Sequence, residues 1–318
     1  MGGTVAGMRM LGWGLLTLCW CLPVGLAEEP QVLIRPHNYD PRDPWEYTRL
    51  KGQPAAGRRV DGPYWNRSPA GASVAAPAIV LPIPATQAQP TAGERVLALG
   101  YSVRGAPIVM HVFGAGEQRL LIFAAIHGDE ASTAGVARRL IGDLQSEPQV
   151  PEHCSVAVIP VANPDGLVRR TRQNAREIDL NRNFPARNFA VGKKGRYFGG
   201  GEASSEPETQ ALMKAIELFG PQAIISLHCI ARGRHGNNYD GPGELLAKAL
   251  SARNDYPVLK SIGYPTPGSF GSWAGADRQI PTITLELPGD ASDDQAWADV
   301  GKSLLAVSGG EGWAEVGK

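Results

Sequence analysis

Three stretches of the chain carry residues whose types and spacing could do chemistry together. HGDE at 127–130 sets a histidine three residues before a glutamate, AIISLH at 223–228 ends an apolar run in a second histidine, and TITLEL at 282–287 carries Glu286 near its end. His127, Glu130 and His228 would make a His₂Glu donor set. That set suits catalytic zinc, because three protein ligands leave a fourth position for water. Nitrogen and oxygen donors without thiolate do not suit iron–sulfur or copper(I). Each residue alone has a plainer reading: a histidine ending a strand, an acid favoured by the dipole at a helix start, a histidine satisfied in the core. Three at compatible positions argue for a metal.

To meet, these side chains need a sheet. LLIFAAI (120–126) is a continuous apolar run, as expected of a strand covered on both faces, and it is read as finishing in His127 and turning at Gly128 into a helix carrying Glu130. Ala134, Ala137, Leu140, Ile141 and Leu144 then recur at helical spacing. CSVAVIPVA (154–162) reads as a second strand, ended by the turn signal Asn163-Pro164-Asp165-Gly166. Ser205 to Glu208 reads as a capping box for a helix that Gly220-Pro221 stops. AIISLH is a third strand, followed by a helix near 243–253; TITLEL is a fourth, followed by a helix around 293–308. Strands alternating with helices predict a single α/β domain over residues 93–310, with a mostly parallel mixed sheet and helices on both faces. Sites in such sheets form at the carboxyl ends of the strands, where His127, His228 and Glu286 fall.

Composition narrows the partners. The chain has 318 residues with 31 basic and 31 acidic side chains, so neither nucleic acid nor an anionic membrane surface is expected. Pro at 26 and Gly at 39 predict many loops. Arg9, the apolar LGWGLLTLCWCLPVGLA and the small-x-small end Gly25-Leu26-Ala27 read as a signal peptide over residues 1–27, with export to the periplasm. Residues 28–92 read as a Pro/Ala/Gly-rich extended lead segment. Cys154 and Cys229, at opposite ends of two parallel strands, would lie roughly 20 Å apart and stay free thiols.

The segment TRQNAREIDLNRNFP (171–185) makes a family likeness specific. HGDE, NPDG, TRQN, DLNRNFP, SLH and TLEL follow one another here as the corresponding motifs do in the zinc carboxypeptidases, which the chain resembles over about residues 95–308. SEPETQAL (205–212) and GYPTPGSFGSW (263–273) look like the murein peptide amidase branch. The resemblance implies one zinc ion held by His127, Glu130 and His228. It implies Glu286 as general base and acid, Arg172 steadying the oxyanion, and Asn181 and Arg182 holding a substrate carboxylate. Tyr264 would be the mobile cover. Arg169 and Arg170 lie beside Arg172 and read as solvated charges. Asp165 is assigned to its turn, and Asp129 to support of a ligand histidine. His37, His111, His153 and His235 have no partner spacing.

The implied activity is zinc-dependent hydrolysis of murein peptides at the γ-D-glutamyl–meso-diaminopimelate amide bond. Alternatives with the same metal site are a general metallocarboxypeptidase and an N-acyl amino acid deacylase, and, in another class, a non-catalytic peptide-binding protein. No GxSxG, P-loop or strand-following GxGxxG supports a serine hydrolase or a nucleotide site. Cys229 adjoins His228 on a strand, so the two side chains point to opposite faces and cannot form a nucleophile pair.

Overall fold

The computed structural model describes Gly2 and residues 94–146 and 150–312; the signal peptide and lead segment read from residues 1–92 lie outside these, Gly2 apart. An eight-stranded sheet runs in the order β1-β2-β4-β3-β5-β8-β6-β7. Its centre is four parallel strands: β4 (Cys154–Ile159), β3 (Gln118–Phe123), β5 (Ala223–Ile230) and β8 (Thr282–Pro288). On one side the hairpin β1 (Glu94–Tyr101) and β2 (Pro107–Gly114) is added, with β2 antiparallel to β4. On the other, β6 (Gly236–Asp240) lies antiparallel to β8 and carries the two-residue β7 (Val258–Leu259).

Side-chain alternation sorts the apolar runs into two cores. Leu120, Ile122, Val156, Val158, Ile225, Leu227, Ile283 and Leu285 face one way. They pack against the buried stripes of α1 (Ala131–Ser146), α4 (Glu244–Asn254) and α5 (Asp293–Ser308). Leu121, Phe123, Ala157, Ile159 and Ile224 face the other way, against α3 (Pro207–Phe219) and the aromatic trio Phe184, Phe270 and Trp273. Helices thus cover both faces, as the alternating pattern predicts. The sequence reading missed the β1–β2 hairpin, β6–β7 and the seven-residue π-helix Gly271–Asp277.

Three local readings are corrected. First, β3 stops at Phe123, so His127 is in the connection that follows rather than at a strand end, and Glu130 precedes α1 instead of lying in it. Second, the NPDG turn signal is a helix start: Asn163 caps α2 (Pro164–Arg169) by accepting the Gly166 N–H at 2.9 Å. Third, Ser205–Glu208 is no capping box. The helix begins at Pro207 without a side-chain cap, and Glu208 instead accepts the Val103 N–H at 3.0 Å and the Asn174 amide at 3.0 Å. Both thiols are free, as expected.

The connection from Ala124 to Glu130 is clamped at several points. Asn163 donates its N–H to the Ala125 carbonyl at 2.9 Å and its Nδ2 to the Ile126 carbonyl at 3.2 Å. Thr133 donates to the Glu130 carbonyl and accepts the Ala125 N–H at 3.1 Å. These bonds hold Ala125 at φ 50, a region sparsely used by residues with a Cβ. Gly128 lies flat against NPDG: a Cβ there would fall 1.9 Å from the carbonyl carbon of Gly166. The two motifs are therefore interlocked backbone to backbone. Gly128→Ala is expected to destabilise the fold by about 3 kcal/mol, as an overpacked core site does, read as a lowered midpoint in urea unfolding. An unchanged midpoint would show this contact to be pliable.

Candidate metal centre

His127 and Glu130 are delivered by the clamped connection, and His228 by β5, which runs two residues further than the sequence reading set its end. One ligand atom from each lies within 4.8 Å of the others. The Nδ1 of His127 is 2.8 Å from Glu130 Oε1, and the Nδ1 of His228 is 3.2 Å from Oε2. The Cys229 backbone N–H adds a third contact to Oε2, at 3.0 Å. Glu286 is directly opposite His228 in the β5–β8 register, so its carboxyl rises from the same face beside the histidine. All four side chains are buried.

A second carboxylate organises the surroundings. Asp179 is fully buried. It receives the far nitrogen of His127 at 3.2 Å, the Nε of Arg172 at 2.8 Å and the backbone N–H of Asn181 at 3.0 Å. Arg172 is thereby held with Nη1 3.6 Å from Glu130. The turn Leu180–Arg182 that Asp179 caps carries the next two predicted residues. Asn181 accepts the Phe270 N–H at 2.8 Å, and Arg182 donates to the Asn181 carbonyl at 2.5 Å. Arg182 and Tyr264 line one cavity of about 340 Å³, with Tyr197, Ala190 and Pro265 among its other walls. Tyr264 is half exposed there.

A profile of the family described as zinc carboxypeptidase matches residues 86–233. Murein peptide amidase A of Escherichia coli K12 is 36% identical over 212 residues, which are 61% of this chain and 82% of that protein. The chain belongs to the zinc carboxypeptidase family. The crystal structure of a murein-tripeptide amidase from Escherichia coli O157 is 31% identical and superposes with a TM-score of 0.55, covering 67% of this chain and 91% of that one. Carboxypeptidase A from Helicoverpa armigera, 19% identical, shares the fold at a TM-score of 0.59 over 71% of this chain and 69% of its own. His127, Glu130 and His228 are the metal-binding triad of this zinc hydrolase.

The donors fit the ion. Two imidazole nitrogens and a carboxylate converge in a buried spot, the far nitrogen of His127 is held by Asp179, and three ligands leave room for water. The buried charges here shift one another's titration. Burial alone would lower the His127 pKa, but the flanking Glu130 and Asp179 carboxylates raise it to about 9. The same pairing holds Glu130 and Asp179 well below the usual carboxylate range, against the opposing effect of burial. Burial pushes His228 down. Burial, then repulsion from Glu130, pushes Glu286 up to about 8.

Asp179 is the residue that sequence reasoning passed over. It is the acid of DLNRN, quoted for the family likeness but given no task. The support predicted for Asp129 belongs to Asp179; Asp129 instead pairs with Arg196 at 3.1 Å. Tyr197 was also missed: its ring lies under the guanidinium of Arg172 at 5.1 Å and of Arg182 at 5.8 Å. A tyrosine in a Gly/Lys-rich loop carries no sequence signal for such a place.

Below about pH 9 the His127 ring holds a proton that an incoming cation displaces; below about pH 8 Glu286 holds another, released as the cation draws its carboxyl down. Zinc affinity is therefore expected to rise by more than about tenfold per pH unit from pH 6 to 8 and to level off above the His127 pKa. Calorimetric titration at pH 6.5 in buffers of different protonation enthalpy should report between about one and two protons released per zinc. Release of none would overturn the protonated ion pair.

Proposed function

We propose that this chain hydrolyses murein peptides at the γ-D-glutamyl–meso-diaminopimelate amide bond, and that it does so after export. The reading rests above all on the pairing of Glu286 with His228 across the β5–β8 ladder, which sets a buried carboxyl beside a three-ligand metal site. Zinc bound to the triad would lower the pKa of water toward neutrality and polarise a carbonyl. Glu286 takes a proton from the attacking water and returns it to the leaving amine. A carboxyl raised to about 8 is drawn down by a nearby dication, which brings it into the range useful for both steps.

Arg172 donates to the oxyanion. Its Nε is committed to Asp179, which leaves the guanidinium edge beyond it for the substrate. Arg182, in the wall of the cavity, meets a carboxylate of the leaving diamino acid with its planar fork. Asn181, its amide plane fixed by the Phe270 N–H, supports that contact. Tyr264, half exposed across the cavity from Arg182, covers the bound peptide. The relatives named for murein peptides direct the choice of substrate within the family.

Glu286→Gln is expected to lower kcat by about a thousandfold or more while the protein still binds one zinc. Retained hydrolysis with zinc bound would remove Glu286 from the mechanism. Turnover of L-alanyl-γ-D-glutamyl-diaminopimelate should exceed that of peptides ending in ordinary amino acids and of N-acyl amino acids. The reverse order would make the protein a general carboxypeptidase or a deacylase.

A further inference from the structure

Equal totals of acid and base hide an uneven distribution. The stretch from Arg169 to Arg196 holds nine of the 31 basic side chains and two of the 31 acidic ones. It therefore carries a net charge of +7, and the rest of the chain −7. Of the two acids, Asp179 is buried between His127 and Arg172. Glu177 is left as the one exposed acid of the stretch.

Five of the nine cations are committed within the protein. Arg172 and Arg182 belong to the site. Arg176 lies 3.6 Å from Glu206, Arg187 2.8 Å from Asp277 and Arg196 3.1 Å from Asp129. The other four, Arg169, Arg170, Lys193 and Lys194, are exposed, and their side chains meet no hydrogen-bond or ion-pair partner among the described residues. Arg169 has a local reason to be basic, since it closes α2 where the helix dipole favours a cation. The lysines, outside any helix or strand, have none.

All four stand at the mouth of the cleft. Ala190, Gly192, Tyr197 and Gly199 wall the cavity that holds Arg182, so Lys193 and Lys194 tip one of its walls. Arg196 ties that wall to the ligand-bearing connection through Asp129, and the Gly195 carbonyl accepts the Gln173 amide at 2.7 Å. Tyr197 lies under Arg172 at 5.1 Å. Lys193 is four residues from Tyr197 and Arg169 three from Arg172, so none of the four backbones is more than about 14 Å from that contact. A patch of one sign at the lip of a cleft draws in ligands of the opposite sign.

A released tripeptide would leave this patch unanswered. Two residues on the acyl side of a scissile bond extend only about 7 Å, and the carboxylate of the leaving residue goes to Arg182. Murein still in its polymer is different. A γ-linked glutamyl residue keeps its α-carboxylate, so the stems on either side of the one being cut present negative charge to the enzyme. We infer that Arg169, Arg170, Lys193 and Lys194 form a docking rim for polymeric murein, which brings the site stems still attached to the glycan. The inference rests on the murein reading and adds to it the physical form of the substrate.

The test sediments the full, zinc-loaded chain with purified sacculi of the diaminopimelate type, in parallel with sacculi whose carboxylates have been converted to amides. The chain is expected to sediment with the native sacculi, to lose affinity at least about tenfold between about 0.02 M and about 0.5 M salt, and not to sediment with the amidated ones. Arg169→Gln, Arg170→Gln, Lys193→Gln and Lys194→Gln combined should cut retention about tenfold or more. In that variant kcat/KM for free L-alanyl-γ-D-glutamyl-diaminopimelate should stay within about twofold and Tm within about 2 °C, as for surface changes. Should the fourfold variant fold poorly, Lys193→Gln with Lys194→Gln, confined to the exposed tip, must still cut retention at least about threefold. No sedimentation, retention indifferent to salt or amidation, retention kept by the variants, equal uptake by vesicles of anionic phospholipid, or a parallel loss of tripeptide turnover each overturns the rim. Tripeptide turnover without sedimentation removes the rim and leaves the amidase reading. Charge-dependent sedimentation without turnover of any murein peptide keeps the rim and removes the amidase reading.

Discussion

His127 lies between two buried carboxylates, and the arrangement of the whole centre follows from how those charges are answered. On one side is Glu130, shared with His228, the Cys229 N–H and the edge of Arg172. On the other is Asp179, which takes the far nitrogen of the ring, the Arg172 Nε and the Asn181 N–H. Leaving either acid alone in the interior would be strongly unfavourable, since breaking one partner from a buried pair costs about 3–5 kcal/mol. Each partner is thus pinned by charge as well as by packing. Asp179 in particular ties the metal ligand to Arg172, proposed to meet the oxyanion, and to the turn that bears Asn181 and Arg182. The metal site and the proposed substrate grip are fixed to one another through a single side chain.

The sheet supplies the other half of the geometry. β5 and β8 are hydrogen-bonded neighbours in the middle of eight strands, so the distance from His228 to Glu286 is set by the ladder and cannot drift. The first ligand pair comes from a connection instead, and a connection must be made rigid by other means. Asn163 and Thr133 clamp it, and Gly128 packs on Gly166 so closely that neither backbone can move alone. The NPDG motif accordingly acts on the metal site at one remove: it contributes no ligand and holds the segment that contributes two.

Chemistry was more legible in the sequence than local structure. The donors His127, Glu130 and His228 could be read because few other tasks bring those residue types to the ends of apolar runs, and the central strands because burial on both faces leaves continuous apolar stretches. The boundaries failed where a tertiary contact outweighed a local signal. Glu208 has the spacing of a capping residue, but Val103 and Asn174 claim its carboxylate. LLIFAAI is apolar to its end because Ala124, Ala125 and Ile126 are buried in the connection, not because they are strand. β6, with its sequence GNNYD, has no apolar pattern to find; it is held by pairing with β8. Asp179 escaped notice because a carboxylate that neutralises two cations looks, in sequence, like any acid in a turn.

That last difficulty has a counterpart in the strands themselves. A parallel strand covered on both faces should read as unbroken apolar residues, and CSVAVI in β4 comes close. β8 does not: TITLEL alternates strictly, with Ile283, Leu285 and Leu287 in the core under α4 and α5, and Thr282, Thr284 and Glu286 on the opposite face. β5 does the same from its middle onward, with Ser226 and His228 on that face and Leu227 in the core. On β3 and β4 the equivalent face is filled by Leu121, Phe123, Ala157 and Ile159. One sheet face is therefore core along half its width and polar along the other half, and the boundary runs between β3 and β5. Hydrophobic burial on the first half and on the whole of the opposite face must carry the stability, because on the second half Ser226 Oγ and Asn238 Oδ1 have no hydrogen-bond partner among the described residues. The alternation in TITLEL is the trace, in the sequence, of a strand with core on one face and the polar side chains of the site on the other.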